Sequence, residues 1–112
     1  MSYVYIVQMN IPAAHDAEFN RIYDTEHVPM LAKVPGVRSA ARYRLEQSND
    51  PRMQRYTAIY EIDSPAVIDS AAWREAGAWG DWATKIRPHT TERHHSLFRR
   101  VPWLCDTRPI ED

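Results

Sequence analysis

The alternation of strand-like and helix-like patterns constrains the fold of this chain more than any other feature. Segments rich in β-branched and aromatic residues are separated from helical patterns by turn signals such as Pro35-Gly36 and Ser64-Pro65. The predicted elements, in chain order, are a strand at 3–11, a helix at 13–33, strands at 37–46 and 54–63, a helix at 65–87 and a strand at 92–103. This order predicts an α+β fold of the ferredoxin-like βαββαβ type, with a four-stranded antiparallel sheet and both helices on one face.

Length and charge limit the classes of function. The 112 residues predict a single domain over 1–112, with a core at 3–103 and a tail at 104–112. A net charge of −1 and scattered arginines argue against nucleic acid as a partner, and no apolar run of bilayer length suggests a membrane. The single cysteine, Cys105, excludes an intrachain disulfide and fits a reducing compartment, so a cytoplasmic protein is expected.

The face of the sheet opposite the helices is expected to remain partly apolar. Strand 3–11 is apolar on both of its alternating sets, and strand 54–63 is not cleanly polar on either side. A monomer would leave this face exposed as a large apolar patch. The sequence therefore predicts a homodimer that pairs through the sheets.

A histidine on the apolar side of the first helix is the leading candidate for chemistry. Phe19, Tyr23, His27 and Met30 follow helical spacing on one face, so His27 should point inward. Asp24 and Tyr23 are within side-chain reach of His27 at i, i+3 and i, i+4. A carboxylate beside an imidazole suits a general acid–base, although a core histidine beside a solvated Asp24 is the alternative.

Pro29 follows this group and breaks a rule of local structure. Proline lacks the backbone N–H that would bond the carbonyl of Thr25, and it disfavours helical geometry at Val28. We therefore expect an interruption of the helix here, with a free carbonyl at Thr25. Such local conflicts tend to occur at functional or strained places.

A pocket is predicted between the second helical region, the first helix and the sheet. Its expected walls are the clustered Trp73, Trp79 and Trp82, of which the last two share a helical face at i, i+3, together with Tyr56 or Tyr60 of the third strand. Arg42 or Arg44 is a candidate to hold a substrate carboxylate. The alternatives are an aromatic cluster that is only core and a strand arginine that is only solvated.

Metal and cofactor sites have little support in the sequence. His94 and His95 are adjacent in a strand and should point to opposite faces, so they do not ligate one metal together. No phosphate-binding glycine loop or dinucleotide fingerprint occurs, and no cofactor is expected. Haem remains an alternative, because one axial histidine in an aromatic pocket suffices.

Several motifs resemble a known family. The segment Tyr23-Asp24-Thr25-Glu26-His27-Val28-Pro29, followed by Val34-Pro35-Gly36-Val37 and the Arg42-Tyr43 strand, is similar to the EthD-like branch of the dimeric α+β barrel superfamily. The segments 79–83 and 86–88 also look familial, and the resemblance covers most of residues 3–103. It implies a ferredoxin-like chain that dimerises into an α+β barrel, with His27 as the functional position.

Three hypotheses for function follow. The first is a small cofactor-independent enzyme, of isomerase, cyclase, lyase or monooxygenase type, that acts by acid–base chemistry on an apolar or aromatic carbonyl compound in a catabolic or secondary-metabolic pathway. Its catalytic group would be His27 with Asp24 and Tyr23, and its substrate-binding residues Arg42, Tyr56, Tyr60, Trp79 and Trp82. The second is a non-catalytic ligand-binding or accessory protein with the same cavity, and the third is a haem-binding or haem-degrading protein.

Overall fold

The sheet has the predicted ferredoxin-like topology. The computed structural model describes residues 2–101. Its strands are β1 (Tyr3–Asn10), β2 (Val37–Arg44), β3 (Tyr56–Ile62) and β4 (Thr91–Arg99). They lie in the order β2-β3-β1-β4 with antiparallel neighbours, which confirms the fold class. The end of the predicted last strand, the tail and Cys105 lie outside the described residues.

The helices are shorter and more varied than predicted. The first helical region comprises a 3-10 turn (Ala13–His15), α1 (Asp16–Ile22), a π-helical turn (Tyr23–His27) and α2 (Val28–Ala32). The second comprises a 3-10 turn (Pro65–Val67), α3 (Ala71–Ala78), a second π-helical turn (Trp82–Ile86) and a 3-10 turn (Arg87–His89). Within residues 2–101, none of the helices is long and apolar enough to cross a membrane.

The second long helix begins later than the sequence suggested. Ser64 accepts a hydrogen bond from the backbone N–H of Ala66, but it caps only a short 3-10 turn. Ser70 is the N-cap of α3, and its Oγ accepts from the N–H of Trp73 at 3.1 Å. The break expected near residues 77–80 is confirmed, because α3 ends at Ala78.

Each π-helical turn ends two residues before a proline, Pro29 or Pro88. The N–H of Val28 bonds the carbonyl of Tyr23, five residues earlier, and the N–H of Arg87 bonds that of Trp82 in the same way. In an α-helix, a proline ring clashes with the carbonyl four residues before it, and the wider π turn gives that carbonyl room. The helix therefore passes through Pro29 instead of stopping there.

The two π turns also share a sequence pattern. Tyr23-Asp24-Thr25-Glu26-His27-Val28-Pro29 and Trp82-Ala83-Thr84-Lys85-Ile86-Arg87-Pro88 both have an aromatic residue first, threonine third and proline seventh. The split βαβ halves of this fold thus carry equivalent turns at equivalent places. The two aromatic residues meet, with the ring centroids of Tyr23 and Trp82 4.8 Å apart.

The sheet presents one face to the helices and leaves the other open. Val7, Met9, Ala58, Tyr60 and Ile62 face the helices and are buried. Among the largest buried side chains that complete this core are Phe19, Ile22 and Ile86. The open face includes large exposed side chains, Tyr43 and Phe98, on the two edge strands.

Candidate functional site

A cavity lies where the two π turns meet the helix-facing side of the sheet. Its volume is about 140 Å³, close to that of an engineered cavity that holds one benzene ring. The lining residues include Tyr5, Val7, Met9, Tyr23, His27, Leu31, Tyr60, Trp73, Gly77, Trp82, Arg87, Arg93 and His95. Most of the lining residues are aromatic or apolar, but polar atoms contribute more of the exposed lining surface than apolar atoms do. The charged residues among them are Arg87 and Arg93.

His27 is the last residue of the first π turn and lines the cavity. It is 7% exposed, which confirms the prediction that it is buried. Its ring stacks on Trp82, with centroids 4.4 Å apart and planes at 25°, and meets the edge of Tyr23 at 5.0 Å. Its Nδ1 atom is buried and has no hydrogen-bond partner.

The environment of His27 keeps its imidazole neutral. Burial, followed by the positive charges of Arg87 and Arg93, lowers its pKa from 6.5 to about 3. A neutral imidazole has one nitrogen free to accept a proton. At neutral pH, His27 is thus a potential proton acceptor and not a cation.

Tyr60 is a second buried polar group at the cavity. Its side chain is fully buried, and its hydroxyl makes no hydrogen bond of ideal geometry, although the phenol of Tyr23 is close enough to be its partner. Burial raises the pKa of Tyr60 well above 10.0, and the neighbouring Tyr23 adds to this effect. Burial also raises the pKa of Tyr23, to about 12. Both phenols are therefore protonated at neutral pH.

A carboxylate joins the two π turns. Oε1 of Glu26, in the first turn, accepts a hydrogen bond from the N–H of Asp81, just before the second, at 3.0 Å. Gly80 permits this approach, because a Cβ there would lie 2.3 Å from Oε1 of Glu26, and its φ of +72° favours glycine. The clamp fixes the start of the turn that carries Trp82, which stacks on His27.

One end of the cavity is positively charged. Arg87 follows the second π turn, and Arg93 comes from β4, as does His95. Burial and the charges of Arg93 and Arg87 lower the pKa of His95. The ring of His95 stacks on Tyr5 with centroids 6.1 Å apart. Three nitrogen-bearing side chains, those of Arg87, Arg93 and His95, thus line this part of the cavity.

A β-bulge underlies this end. The register between β1 and β4 shifts between Gln8 and Asn10, and Glu92 adopts a φ of +51°. The buried Gln54 holds the bulge, because its Nε2 donates to the carbonyl of Glu92 at 2.9 Å and lies 2.9 Å from Nδ1 of His94. Backbone strain of this kind costs on the order of 1–3 kcal/mol and clusters at functional sites.

Asp24 does not hold His27, in contrast to the predicted arrangement. The wider π turn carries Asp24 to the outer surface, where it pairs with Arg42 at 2.6 Å. Arg42 also donates to Oδ1 of Asn20 at 2.9 Å, and its guanidinium lies 4.6 Å from the ring centroid of Tyr23. Two of the predicted site residues thus belong to a separate outer cleft.

Tyr56 also lines this outer cleft. The cleft is lined by Asn20, Asp24, Arg42, Tyr43, Arg44 and Tyr56. The hydroxyl of Tyr56 donates to Oδ1 of Asp16 at 2.5 Å and accepts from Nδ2 of Asn20 at 3.1 Å. Tyr56 does not line the cavity that contains His27.

Trp79 was also placed wrongly by helical spacing. The helix ends at Ala78, and the positive φ of Gly80 turns the chain before Trp82. Trp79 is consequently 50% exposed and does not line the cavity, whereas Trp82 is buried beside His27. Of the eight predicted site residues, the structure brings together Tyr23, His27, Tyr60 and Trp82.

Three residues that line the cavity were not predicted from the sequence, namely Arg87, Arg93 and His95. One signal was present, because Arg93 and His95 share a strand face at i, i+2. The repeated aromatic-x-Thr-x-x-x-Pro pattern was a second signal, since it marks both walls of the cavity. The prediction that His94 and His95 lie on opposite faces is consistent with their different partners, Gln54 and Tyr5.

The described residues do not suit a metal ion or haem. Within residues 2–101, no group of three or more His, Cys, Asp and Glu side chains is placed to ligate a metal. The orphaned Nδ1 of His27 is a possible ligand atom, but a cavity of about 140 Å³ is far too small for a porphyrin macrocycle. A ligand the size of one aromatic ring fits.

Comparison with solved structures supports the fold. The chain is similar to an EthD family protein from Bacillus halodurans, with 17% identity, a TM-score of 0.66 and coverage of 90% of this chain and 100% of the other. It is also similar to SnoaB, a cofactor-independent oxygenase from Streptomyces nogalater, with 21% identity, a TM-score of 0.63 and coverage of 94% and 98%. The resemblance to the EthD-like branch is thereby confirmed at the level of the fold.

A third similar structure binds haem. The haem degrader MhuD from Mycobacterium tuberculosis, with two haems in its active site, shares 18% identity over 92% of this chain and 99% of the other, with a TM-score of 0.65. SnoaB is an oxygenase and MhuD is a haem degrader, so these two similar structures differ in what they do. At such identities the likeness carries the fold but no activity.

Sequence families give a direct assignment. No curated protein is similar enough in sequence to match this chain. One family model, described as "Domain of unknown function (DUF4286)", matches residues 2–101. Because this match spans most of the 112-residue chain, the chain belongs to the DUF4286 family.

Proposed function

We propose that this protein is a small cofactor-independent enzyme that abstracts a proton next to the carbonyl group of a single-ring aromatic or similarly small apolar compound. The observation that carries the proposal is an orphaned polar atom at the cavity, Nδ1 of the buried His27. A buried polar atom without a partner costs about 1–3 kcal/mol. A ligand that bonds Nδ1 removes this cost.

His27 is the proposed base. The substrate C–H bond breaks, its electron pair moves to form an enolate, and the proton goes to the neutral imidazole. The positive charges of Arg87 and Arg93 at the same cavity favour the anion at a distance, without a direct bond to the carbonyl oxygen. Return of the proton to a different carbon is an isomerisation. Attack of the enolate on a second carbonyl closes a ring.

The low pKa of His27 sets a condition on this chemistry. A free base with a pKa of about 3 is weak at neutral pH. Part of that shift comes from the charges of Arg87 and Arg93, so an anion formed beside them raises the pKa of the imidazole. Proton transfer and enolate formation therefore assist each other. The first step is common to isomerases, cyclases, lyases and cofactor-independent monooxygenases, and the proposal is limited to this step.

Deuterium exchange tests the proposal. Acetophenone and 4-acetylbenzoate each carry an exchangeable methyl group beside an aromatic ketone, and NMR in D2O follows the loss of its signal. We expect His27→Leu, which keeps the volume, to lower the enzymatic rate by about 10²–10⁴-fold. His89→Leu is the matched control, because His89 is exposed and does not line the cavity. Equal exchange in both variants, or none above background in the wild type, contradicts the proposal.

A binding role without catalysis is the second candidate. It is favoured by one observation, the low pKa of His27, because a neutral imidazole that resists protonation serves well as a fixed hydrogen-bond acceptor. This candidate expects a His27→Ala protein to lose affinity for the probes while the wild type gives no exchange. Haem has less support than either, because of the cavity volume.

We also propose that two copies of the chain form a homodimer through the open face of the sheet. Tyr43 and Phe98 on the open sheet face are 55% and 54% exposed, and Ile6 and Ile59 lie between them on the same face. Large apolar patches of this kind mark interaction sites. Light scattering at micromolar concentration should return twice the chain mass of 13.1 kDa, and Phe98→Lys should return the chain mass. A wild-type protein that stays at 13.1 kDa contradicts the dimer.

A further inference from the structure

We infer that the ligand of this cavity carries a permanent negative charge on a flat aromatic body, as an arylcarboxylate or a similar aromatic monoanion does, and that Arg87 and Arg93 bind that charge. The inference rests on the proposed function for the location of the site, but it specifies the substrate before any reaction takes place. It is carried by three independent features of the cavity.

The first feature is charge without compensation. Arg87 and Arg93 both line the cavity, and no Asp or Glu among residues 2–101 lines it with them. The ion pairs of this part of the chain involve other basic residues. The guanidinium of Arg87 makes one long hydrogen bond, to the carbonyl of Gly77 at 3.4 Å. Two positive charges at one small cavity repel each other unless an anion lies between them.

The second feature is the construction of the strand that carries Arg93. Glu92, directly before it, has a φ of +51°, which is unfavourable for any residue but glycine. The buried Gln54 bonds the carbonyl of Glu92 and contacts His94, directly after Arg93. Gln54, from the segment before β3, thus holds the backbone before Arg93 and the side chain of the residue after it. This support fixes the backbone from which the exposed side chain of Arg93 reaches the cavity.

The third feature is the shape of the rest of the cavity. Trp82 and His27 stack as parallel planes, and Trp73 meets the rings of Tyr5 and Tyr60 edge-on at 5.7 and 5.3 Å. Flat aromatic walls favour a flat ligand. The volume of about 140 Å³ limits that ligand to about one ring. A carboxylate on such a ring would reach the arginine end and accept bidentate hydrogen bonds there.

A matched pair of probes tests the inference. Benzoate and benzamide have nearly the same shape, but benzoate alone is an anion. Calorimetric titration of the full chain in low-salt buffer should show benzoate binding about tenfold tighter than benzamide, or more, since hydrogen bonds to charged groups are the stronger ones. Equal affinity for the two probes overturns the inference, and so does no measurable binding of benzoate.

Substitutions of Arg87 and Arg93 test whether these two residues cause the preference for benzoate. Arg87→Gln and Arg93→Gln should each weaken benzoate binding by about ten- to a hundredfold and leave benzamide nearly unchanged. Arg93→Lys keeps the charge and should recover part of the loss. Arg99→Gln is the control, because Arg99 lies on the same strand but not at the cavity. Benzoate binding that responds equally to the loss of Arg93 and of Arg99 overturns the inference.

The test separates this inference from the proposed function. Selective benzoate binding by a protein that exchanges no deuterium supports the anion site and contradicts the enzyme. Exchange of acetophenone as fast as 4-acetylbenzoate, without preference for benzoate, supports the enzyme and overturns the anion site. Far-UV circular dichroism of each variant shows that a lost affinity reflects a lost contact and not a lost fold.

Discussion

Arg42 and Arg93 lie on the two edge strands of the same sheet, both on its helix-facing side, yet their surroundings differ. Arg42 on β2 is 16% exposed, pairs with Asp24, bonds Asn20 and packs on the ring of Tyr23. Arg93 on β4 is exposed and lines a cavity in which, within residues 2–101, no acidic side chain faces it. The charge of Arg42 is thus neutralised within the protein, whereas within residues 2–101 no acidic side chain at the cavity neutralises the charge of Arg93.

This difference separates a structural cluster from a candidate site. In the outer cleft, the polar atoms of Arg42 and Tyr56 have partners within the protein, namely Asp16, Asn20 and Asp24. The cavity leaves the Nδ1 of His27 without a partner beside its arginines. Proteins rarely leave such groups unpaired without a functional reason.

The largest effect is expected from the clamp that holds the cavity wall. Gly80→Ala places a Cβ 2.3 Å from Oε1 of Glu26 and forces an L-residue into a positive φ. Glu26 must move away and lose its bond to the N–H of Asp81. Together with the backbone penalty, this loss should destabilise the protein by about 3 kcal/mol, measured by urea unfolding.

Gly77→Ala is the matched control for this prediction. Gly77 lies in α3, and an added Cβ there has no other heavy atom within 4 Å. Alanine is favoured over glycine in a helix, so stability should rise by about 0.5–1 kcal/mol. If Gly80→Ala and Gly77→Ala have the same effect on stability, the clamp between the π turns does not stabilise the cavity wall.

The next effect concerns the pH dependence of stability. The folded protein lowers the pKa of His27 from 6.5 to about 3, so below pH 6.5 the unfolded chain binds a proton that the folded chain does not. Stability should therefore fall with decreasing pH, by about 2 kcal/mol from this histidine between pH 7.5 and pH 5. Urea unfolding at several pH values measures the slope.

His27→Leu isolates this contribution. The leucine cannot take up a proton and leaves no orphaned Nδ1, so the variant should be more stable than the wild type at pH 5 and should lose most of the slope. The lowered pKa of His95 leaves a smaller slope of the same sign in both proteins. A variant whose stability changes with pH exactly as the wild type does places the responsible group elsewhere.

The fold could be predicted from the sequence, because it depends on turn signals and on strand alternation. Neither of these changes when the end of an element is misplaced by a few residues. The turn at Pro35-Gly36 and the alternation of Tyr56, Ala58, Tyr60 and Ile62 determine strand position and face, whatever the exact ends. The helix ends were less predictable. Ser64-Pro65 has all the features of a helix start, but the chain makes only one 3-10 turn there.

The site was less predictable, because a change of helical turn moves every side chain after it. Helical spacing brought Asp24 to His27, whereas the π turn carries Asp24 outward to Arg42. The same spacing predicted that Trp79 and Trp82 share one helical face. Gly80 lies between them, and its positive φ turns the chain. The difference between Arg42 and Arg93 depends on which acidic residues come close in space, and one sequence contains no signal for that.

The last prediction compares the two arginines directly by stability. Arg42→Gln removes the charge that bonds Asn20 and Asp24 and lies over the ring of Tyr23. Because Asp24 is 61% exposed, that ion pair contributes little, and most of the expected loss of about 1–2 kcal/mol comes from the bond to Asn20 and from packing on the ring. Arg93→Gln removes an exposed charge that repels Arg87, so stability should change by less than about 0.5 kcal/mol or rise slightly. The two variants carry the same chemical change on opposite edges of one sheet, and urea unfolding of both at pH 7.5 is a sufficient measurement. If Arg93→Gln destabilises the protein as much as Arg42→Gln does, Arg93 has a structural role like that of Arg42, and the contrast between the neutralised cleft and the open cavity does not hold.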